Sequence, residues 1–184
     1  MPASPKNYTE QEARDKNKTE YDATASAYDQ WSSTNLLMQK VCYYSTLAEM
    51  ELEGIEGKTF MELGCGPCPI GQELVKKGAK KIYGLDISQE MITSCQANLE
   101  KLGIADKFEL VCNDIFDETF ELSEKVDVVV CSYVLSTFIT SEDMLAKILE
   151  RAKKQLKPDG YLIITDFYYV VQPKDDWWAG MHTA

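Results

Sequence analysis

The run Met61-Glu62-Leu63-Gly64-Cys65-Gly66-Pro67-Cys68-Pro69-Ile70-Gly71 constrains this chain more tightly than any other segment. Its Glu-x-Gly-x-Gly core ends an apolar, strand-like stretch and opens a helix. That is where an α/β sheet brings backbone close to a nucleotide-like ligand. Glycines at 64 and 66 remove side chains that would block such an approach. The same run spells Cys65-Gly66-Pro67-Cys68, a C-x-x-C spacing suited to thiol–disulfide exchange. The surrounding sequence favours the first reading.

From residue 59 onward, strand and helix patterns alternate. Thr59–Leu63 reads as a short buried strand, followed by the Gly-Pro loop and a helix ending at Gly78. Lys81–Asp86 is a second strand, and Ser88 caps a helix that turns Met91, Ile92, Cys95, Leu99 and Leu102 inward and stops at Gly103. Phe108–Cys112 is strand three. Residues 126–131, rich in valine, have the character of a central parallel strand. Ser141 caps a helix with Met144, Leu145, Ile148, Leu149, Ala152 and Leu156 inward. Lys157-Pro158-Asp159-Gly160 then turns the chain into strand five at 161–167. Such alternation implies a doubly wound, mainly parallel sheet with its ligand beyond the strands' carboxyl ends. Ahead of it, Thr9 and Glu12 form a capping box for a helix running towards Tyr28 and Trp31. A second helix over about 36–52 is expected to bury Leu36, Leu37, Val41, Tyr44 and Leu47 on one face. The expected division is an N-terminal helical cap, 1–54, and a Rossmann-like domain, 55–184.

Bulk properties narrow the partners. At 184 residues the chain suits one sizeable core. A net charge of −11 argues against nucleic acid or an anionic membrane surface as partner. The polar N-terminus has no apolar signal core, and no uncharged apolar run approaches a membrane span, so a cytoplasmic protein is expected. The six cysteines (42, 65, 68, 95, 112 and 131) are scattered and read as reduced, buried thiols.

Polar residues recur where the strands end: Glu62, Asp86, Asp114, and Cys131-Ser132. Asp86 follows Gly66 by twenty residues, the spacing at which an acidic side chain meets a ribose diol. Pro69 stands where a dinucleotide fingerprint needs its third glycine, which disfavours NAD and FAD. Together, Glu62-Leu63-Gly64-Cys65-Gly66, Gly84-Leu85-Asp86-Ile87-Ser88, Asn113-Asp114-Ile115, strand 126–131 and Leu156-Lys157-Pro158-Asp159-Gly160 resemble the class I S-adenosylmethionine-dependent methyltransferases. Tyr21-Asp22-Ala23 with Tyr28-Asp29 is similar to the cap of small-molecule members, in the layout of quinone C-methyltransferases and toxoflavin-synthase-like N-methyltransferases.

The resemblance implies a strand order of 3-2-1-4-5 and S-adenosylmethionine as cofactor. It also implies that Glu62, Gly64, Cys65 and Gly66 hold the methionine part. Asp86 would take the ribose, Ile87 and Met91 would pack on the adenine side, and Asn113, Asp114 and Ile115 would read the adenine. Cys131 or Ser132 would offer a carbonyl to the ammonium group. A small-molecule acceptor is implied, methylated on O, N or C, with Tyr21, Tyr28, Trp31, Tyr133 and His182 as acceptor-side candidates; no metal is needed. The Asp/Asn-Pro-Pro-Tyr/Phe motif expected after strand four of amino-methylating DNA and many protein enzymes is replaced by Cys131-Ser132-Tyr133-Val134, and no Pro-Cys nucleophile follows that strand, which favours a small-molecule acceptor. Only 17 residues follow Phe167, so the family's sixth and seventh strands are expected to be absent and the strand-five edge, with Trp177 and Trp178, to be a homodimer contact. Two alternatives remain: a cofactor-binding protein without catalysis, and an oxidoreductase built on Cys65 and Cys68.

Overall fold

The computed structural model describes residues 8–137, 139 and 141–166. Five strands, β1 (Thr59–Leu63), β2 (Lys81–Asp86), β3 (Phe108–Cys112), β4 (Val126–Ser132) and β5 (Leu156–Thr165), form one sheet in the order β3-β2-β1-β4-β5. Every pairing is parallel. The order reverses between β1 and β4, which opens a crevice beyond their carboxyl ends. β1 is buried throughout and β4 nearly so, as expected of central strands covered on both faces.

Helices cover both faces. α3 (Pro69–Lys76) and α2 (Tyr43–Glu53) close one core with Met50, Phe60, Leu74, Ile82 and Val128. α5 (Glu142–Gln155) closes the other with Met61, Leu63, Val129, Met144 and Ile148. Ser88 and Ser141 cap α4 (Gln89–Leu102) and α5 by accepting from the amides of Met91 and Met144. Gly103 ends α4 at φ +70°. Leu102 and Leu149 stay exposed, because each helix buries a narrower stripe than its apolar content allows.

The N-terminal helix α1 (Glu10–Thr34) opens with the capping box: Thr9 accepts from the Glu12 amide, and the Glu12 carboxylate accepts from the Thr9 amide at 2.8 Å. It is fastened to α4 by Asp22, which accepts from Ser88 Oγ, and by Asp29, which accepts from Ser94 and Asn98. The expected phase of the next helix is wrong. α1 ends at Thr34 with Asn35 as its cap, and a π-helical turn, Met38–Cys42, precedes α2. The wider turn re-phases the chain, so the buried stripe is Met38, Cys42, Tyr43, Thr46, Leu47 and Met50. Leu36, Leu37, Val41 and Tyr44 face outward.

Two other expectations change. Lys157-Pro158-Asp159-Gly160 is an irregularity inside β5, lodged between the pairs Val126–Leu156 and Val128–Tyr161. Cys68 and Cys95 form a disulfide, and Cys112 is exposed, so the cysteines are not a set of buried thiols. The pair lies 27 residues apart and is brought together only when α4 packs beside the β1–α3 loop. Among the described residues no helix is long and apolar enough to cross a membrane. His182, Trp177 and Trp178 lie outside the described residues.

Candidate functional site

A cleft with about 850 Å³ of empty space opens at the switch point, beneath α1. Its floor is the β1–α3 loop. Gly64 sits at φ +67°, and a Cβ there would lie 2.5 Å from Val134 Cγ2. Gly66, at φ +51°, has only Tyr28 nearby, 3.9 Å from where a Cβ would stand. Asp86 organises the loop: Oδ2 accepts from the Gly66 amide and Oδ1 from the Ser88 amide, both at 2.9 Å.

The electrostatics are acidic. Glu62 is 4% exposed, and burial pushes its carboxyl up to about 8, an effect eased by the Gly71 amide and strengthened by nearby Asp86. Glu62 Oε2 is buried without a hydrogen-bond partner. Asp86 is also raised, chiefly by burial. A buried carboxyl oxygen left without a partner is costly unless a cation or donor meets it. The donor set therefore suits a cationic ligand, and backbone glycines suit close approach of a nucleoside. An S-adenosylmethionine molecule, with sulfonium and ammonium charges and no phosphate, fits these residues.

Tyrosines form the opposite wall. Tyr21, Tyr28, Tyr43 and Tyr133 all line the cleft. Tyr21 and Tyr28 meet edge to face with ring centres 5.7 Å apart. Burial raises all three of Tyr21, Tyr28 and Tyr43, Tyr28 to about 12, so these hydroxyls stay protonated at neutral pH. Tyr133 has a left-handed backbone at φ +58°. Its hydroxyl donates to the Cys42 carbonyl in the π-turn at 3.3 Å. Beside it, Ser132, Thr46 and Thr165 join hydroxyls at 2.7–3.0 Å.

Of the residues singled out from sequence, Glu62, Gly64, Cys65, Gly66, Asp86, Ile87, Met91, Asp114, Ile115, Ser132, Tyr21, Tyr28 and Tyr133 line this cleft. Three do not. Cys131 is buried in β4, Asn113 shapes its own turn by bonding Asp117 and the Asp114 amide, and Trp31 leans on Tyr28 from outside. Arg14, Asn17, Tyr43 and Thr137 also line it and were missed. The first two had a signal: 14, 17, 21 and 28 fall on one helical face. For Tyr43 and Thr137 no local pattern exists.

The structure also removes the redox alternative. Cys68 pairs with Cys95, not Cys65. Burial raises the Cys65 thiol well above its ordinary range, the opposite of an activated thiolate.

A methyltransferase-domain family model matches residues 55–181. The chain belongs to the class I S-adenosylmethionine-dependent methyltransferases. It is 29% identical to protein arginine N-methyltransferase 6 of Danio rerio over 69% of this chain and 38% of that enzyme. The chain thus spans well under half the length of that curated relative. Among solved structures, the DhpI complex with SAM and HEP matches at a TM-score of 0.67 with 22% identity, covering 85% of this chain and 66% of that one. Magnesium protoporphyrin IX methyltransferase of Synechocystis with bound SAM matches at 0.62 with 19% identity, covering 78% and 68%. These likenesses establish the methyltransferase fold. The family's cofactor is S-adenosylmethionine, and its relatives include methyltransferases named for protein arginine and for a porphyrin.

Proposed function

We propose that this protein transfers the methyl group of S-adenosylmethionine to an O, N or C atom of a small, planar, largely apolar acceptor. The observation that carries the reading is one cleft with a buried carboxylate floor, Glu62 and Asp86, and a wall of four tyrosines. When bound, the cofactor supplies a methyl group already activated by a sulfonium. Glu62 Oε2 would receive the methionine ammonium, helped by the Ser132 backbone carbonyl. Asp86 would hold the ribose diol while keeping the Gly66 loop in place. Asp114 would accept from the adenine amino group. Tyr21 and Tyr28 would face the sulfonium and acceptor with their rings, a placement that favours a cation.

The protein's chief contribution would be orientation and exclusion of water by α1, and orientation alone is worth roughly 7–11 kcal/mol in favourable cases. The protonated tyrosines donate hydrogen bonds but do not act as bases near neutral pH. The acceptor would therefore arrive already nucleophilic, as a neutral amine, an acidic phenol or an enol. The tyrosine-lined cleft supports a small, planar acceptor. The test is incubation with methyl-tritiated cofactor and a panel of phenols, quinols and amines, beside a protein extract. Label in an extractable small product is expected. Label confined to protein would overturn the acceptor class, and saturable cofactor uptake with no labelled product would overturn catalysis.

A further inference from the structure

Two of the missed residues carry an assignment of their own. Arg14 and Asn17 lie one turn apart on α1 and both line the cleft, Arg14 where Asp114 and Phe116 stand. Arg14 is pinned there: Nη1 donates to Asp114 Oδ2 at 2.9 Å, and its guanidinium lies 5.2 Å from the centre of the Phe116 ring. Arg14 Nη2 donates to Gln11 Oε1 on the same helix, so the terminal nitrogens are held by protein partners. Yet Arg14 Nε, a donor, and Asn17 Oδ1, an acceptor, are both buried without a hydrogen-bond partner. Buried polar atoms are nearly always partnered, and each one left alone costs free energy that a matching ligand returns.

The two atoms form a donor and an acceptor in one wall, beside an aromatic ring and an aspartate. One edge of adenine has the opposite pattern, with N7 accepting next to the N6 amino group donating. We propose that α1 reads this edge: Asn17 Oδ1 accepts from the amino group, and Arg14 Nε donates to N7. The inference rests on S-adenosylmethionine occupying the cleft as described above. It makes the N-terminal helix a determinant of base specificity and not merely a cover. Asp114 accepts the second amino hydrogen, and its bond to Arg14 fixes the spacing of all three groups.

The test is equilibrium binding by calorimetry, which needs no acceptor and no turnover. Three probes are titrated: S-adenosylhomocysteine; S-inosylhomocysteine, which has a carbonyl in place of the amino group; and the 7-deaza analogue, in which N7 is carbon. The wild-type protein should prefer S-adenosylhomocysteine over each analogue by at least about tenfold, the scale of one hydrogen bond. Asn17→Leu should lower the preference over S-inosylhomocysteine about tenfold, while Asn17→Asp, which keeps an acceptor oxygen, should retain it. Arg14→Lys keeps a cation for Asp114 but loses the Nε donor, and should bind the 7-deaza analogue as well as the parent. Circular dichroism confirms that each variant is folded. The proposal is overturned if Asn17→Leu weakens both nucleosides equally or leaves their ratio unchanged. It is likewise overturned if the wild-type protein does not discriminate against the 7-deaza analogue. Failure of the folded wild-type protein to bind S-adenosylhomocysteine at all would overturn the cofactor assignment beneath it, a distinguishable result.

Discussion

Replacing Glu62 with glutamine probes the acidic floor through protons. Burial raises this carboxyl to about 8, and its Oε2 has no partner. At pH 7 a group of that pKa is protonated in roughly nine molecules of ten. Binding a ligand ammonium beside it favours the carboxylate, so cofactor binding should release about 0.9 proton at pH 7 and about 0.1 at pH 9. Calorimetric titration with S-adenosylhomocysteine in buffers of different ionisation enthalpy measures that number directly. Glu62→Gln should bind more weakly and lose the release. The same shift affects the free protein. Its folded pKa lies above the ordinary 4.5, so the folded state holds more protons than the unfolded state between about 4.5 and 8. Stability therefore falls as pH rises through that window, by at most about 5 kcal/mol for a shift of this size. Glu62→Gln should flatten that slope in urea unfolding. Proton release unchanged in Glu62→Gln, or absent from the wild-type protein, would refute the reasoning.

Gly64→Ala places a methyl group 2.5 Å from Val134 Cγ2 at φ +67°, and should cost about 1–3 kcal/mol in chemical unfolding together with most cofactor affinity. A wild-type stability for this variant would show that the loop is looser than described. Reducing Cys68–Cys95, which closes a loop of 27 residues, should lower stability by about 3–4 kcal/mol, read as a fall in melting temperature that Cys95→Ser reproduces. Equal melting temperatures in oxidised and reduced samples would show that the bond is not formed in solution.

Much of the frame was legible because its signals are local. β1, β2 and β3 fall where the apolar runs placed them, and Ser88, Ser141, Gly103 and the Thr9–Glu12 box act at the helix ends they marked. The strand order followed from the methyltransferase resemblance. What escaped depends on contacts distant in sequence. The phase of α2 is set by a π-turn whose Cys42 carbonyl accepts from Tyr133, ninety-one residues on. Cys68 meets Cys95 through helix packing, whereas the C-x-x-C spacing drew attention to Cys65. At the site, strand-end carboxylates were visible because strands announce their ends. Tyr43 and Thr137 come from a re-phased helix and a short 3₁₀ turn, which carry no such mark. Arg14 was legible in principle, since it shares a helical face with Tyr21 and Tyr28.

The most direct test of the cofactor assignment is equilibrium dialysis of the wild-type protein against radiolabelled S-adenosylmethionine, with Asp86→Asn in parallel. Asparagine keeps the shape of Asp86 but removes the charge proposed to hold the ribose. One site per chain is expected in the wild-type protein, with affinity reduced at least tenfold in the variant. A folded wild-type protein that retains no label, or a variant that binds as tightly, would contradict the account.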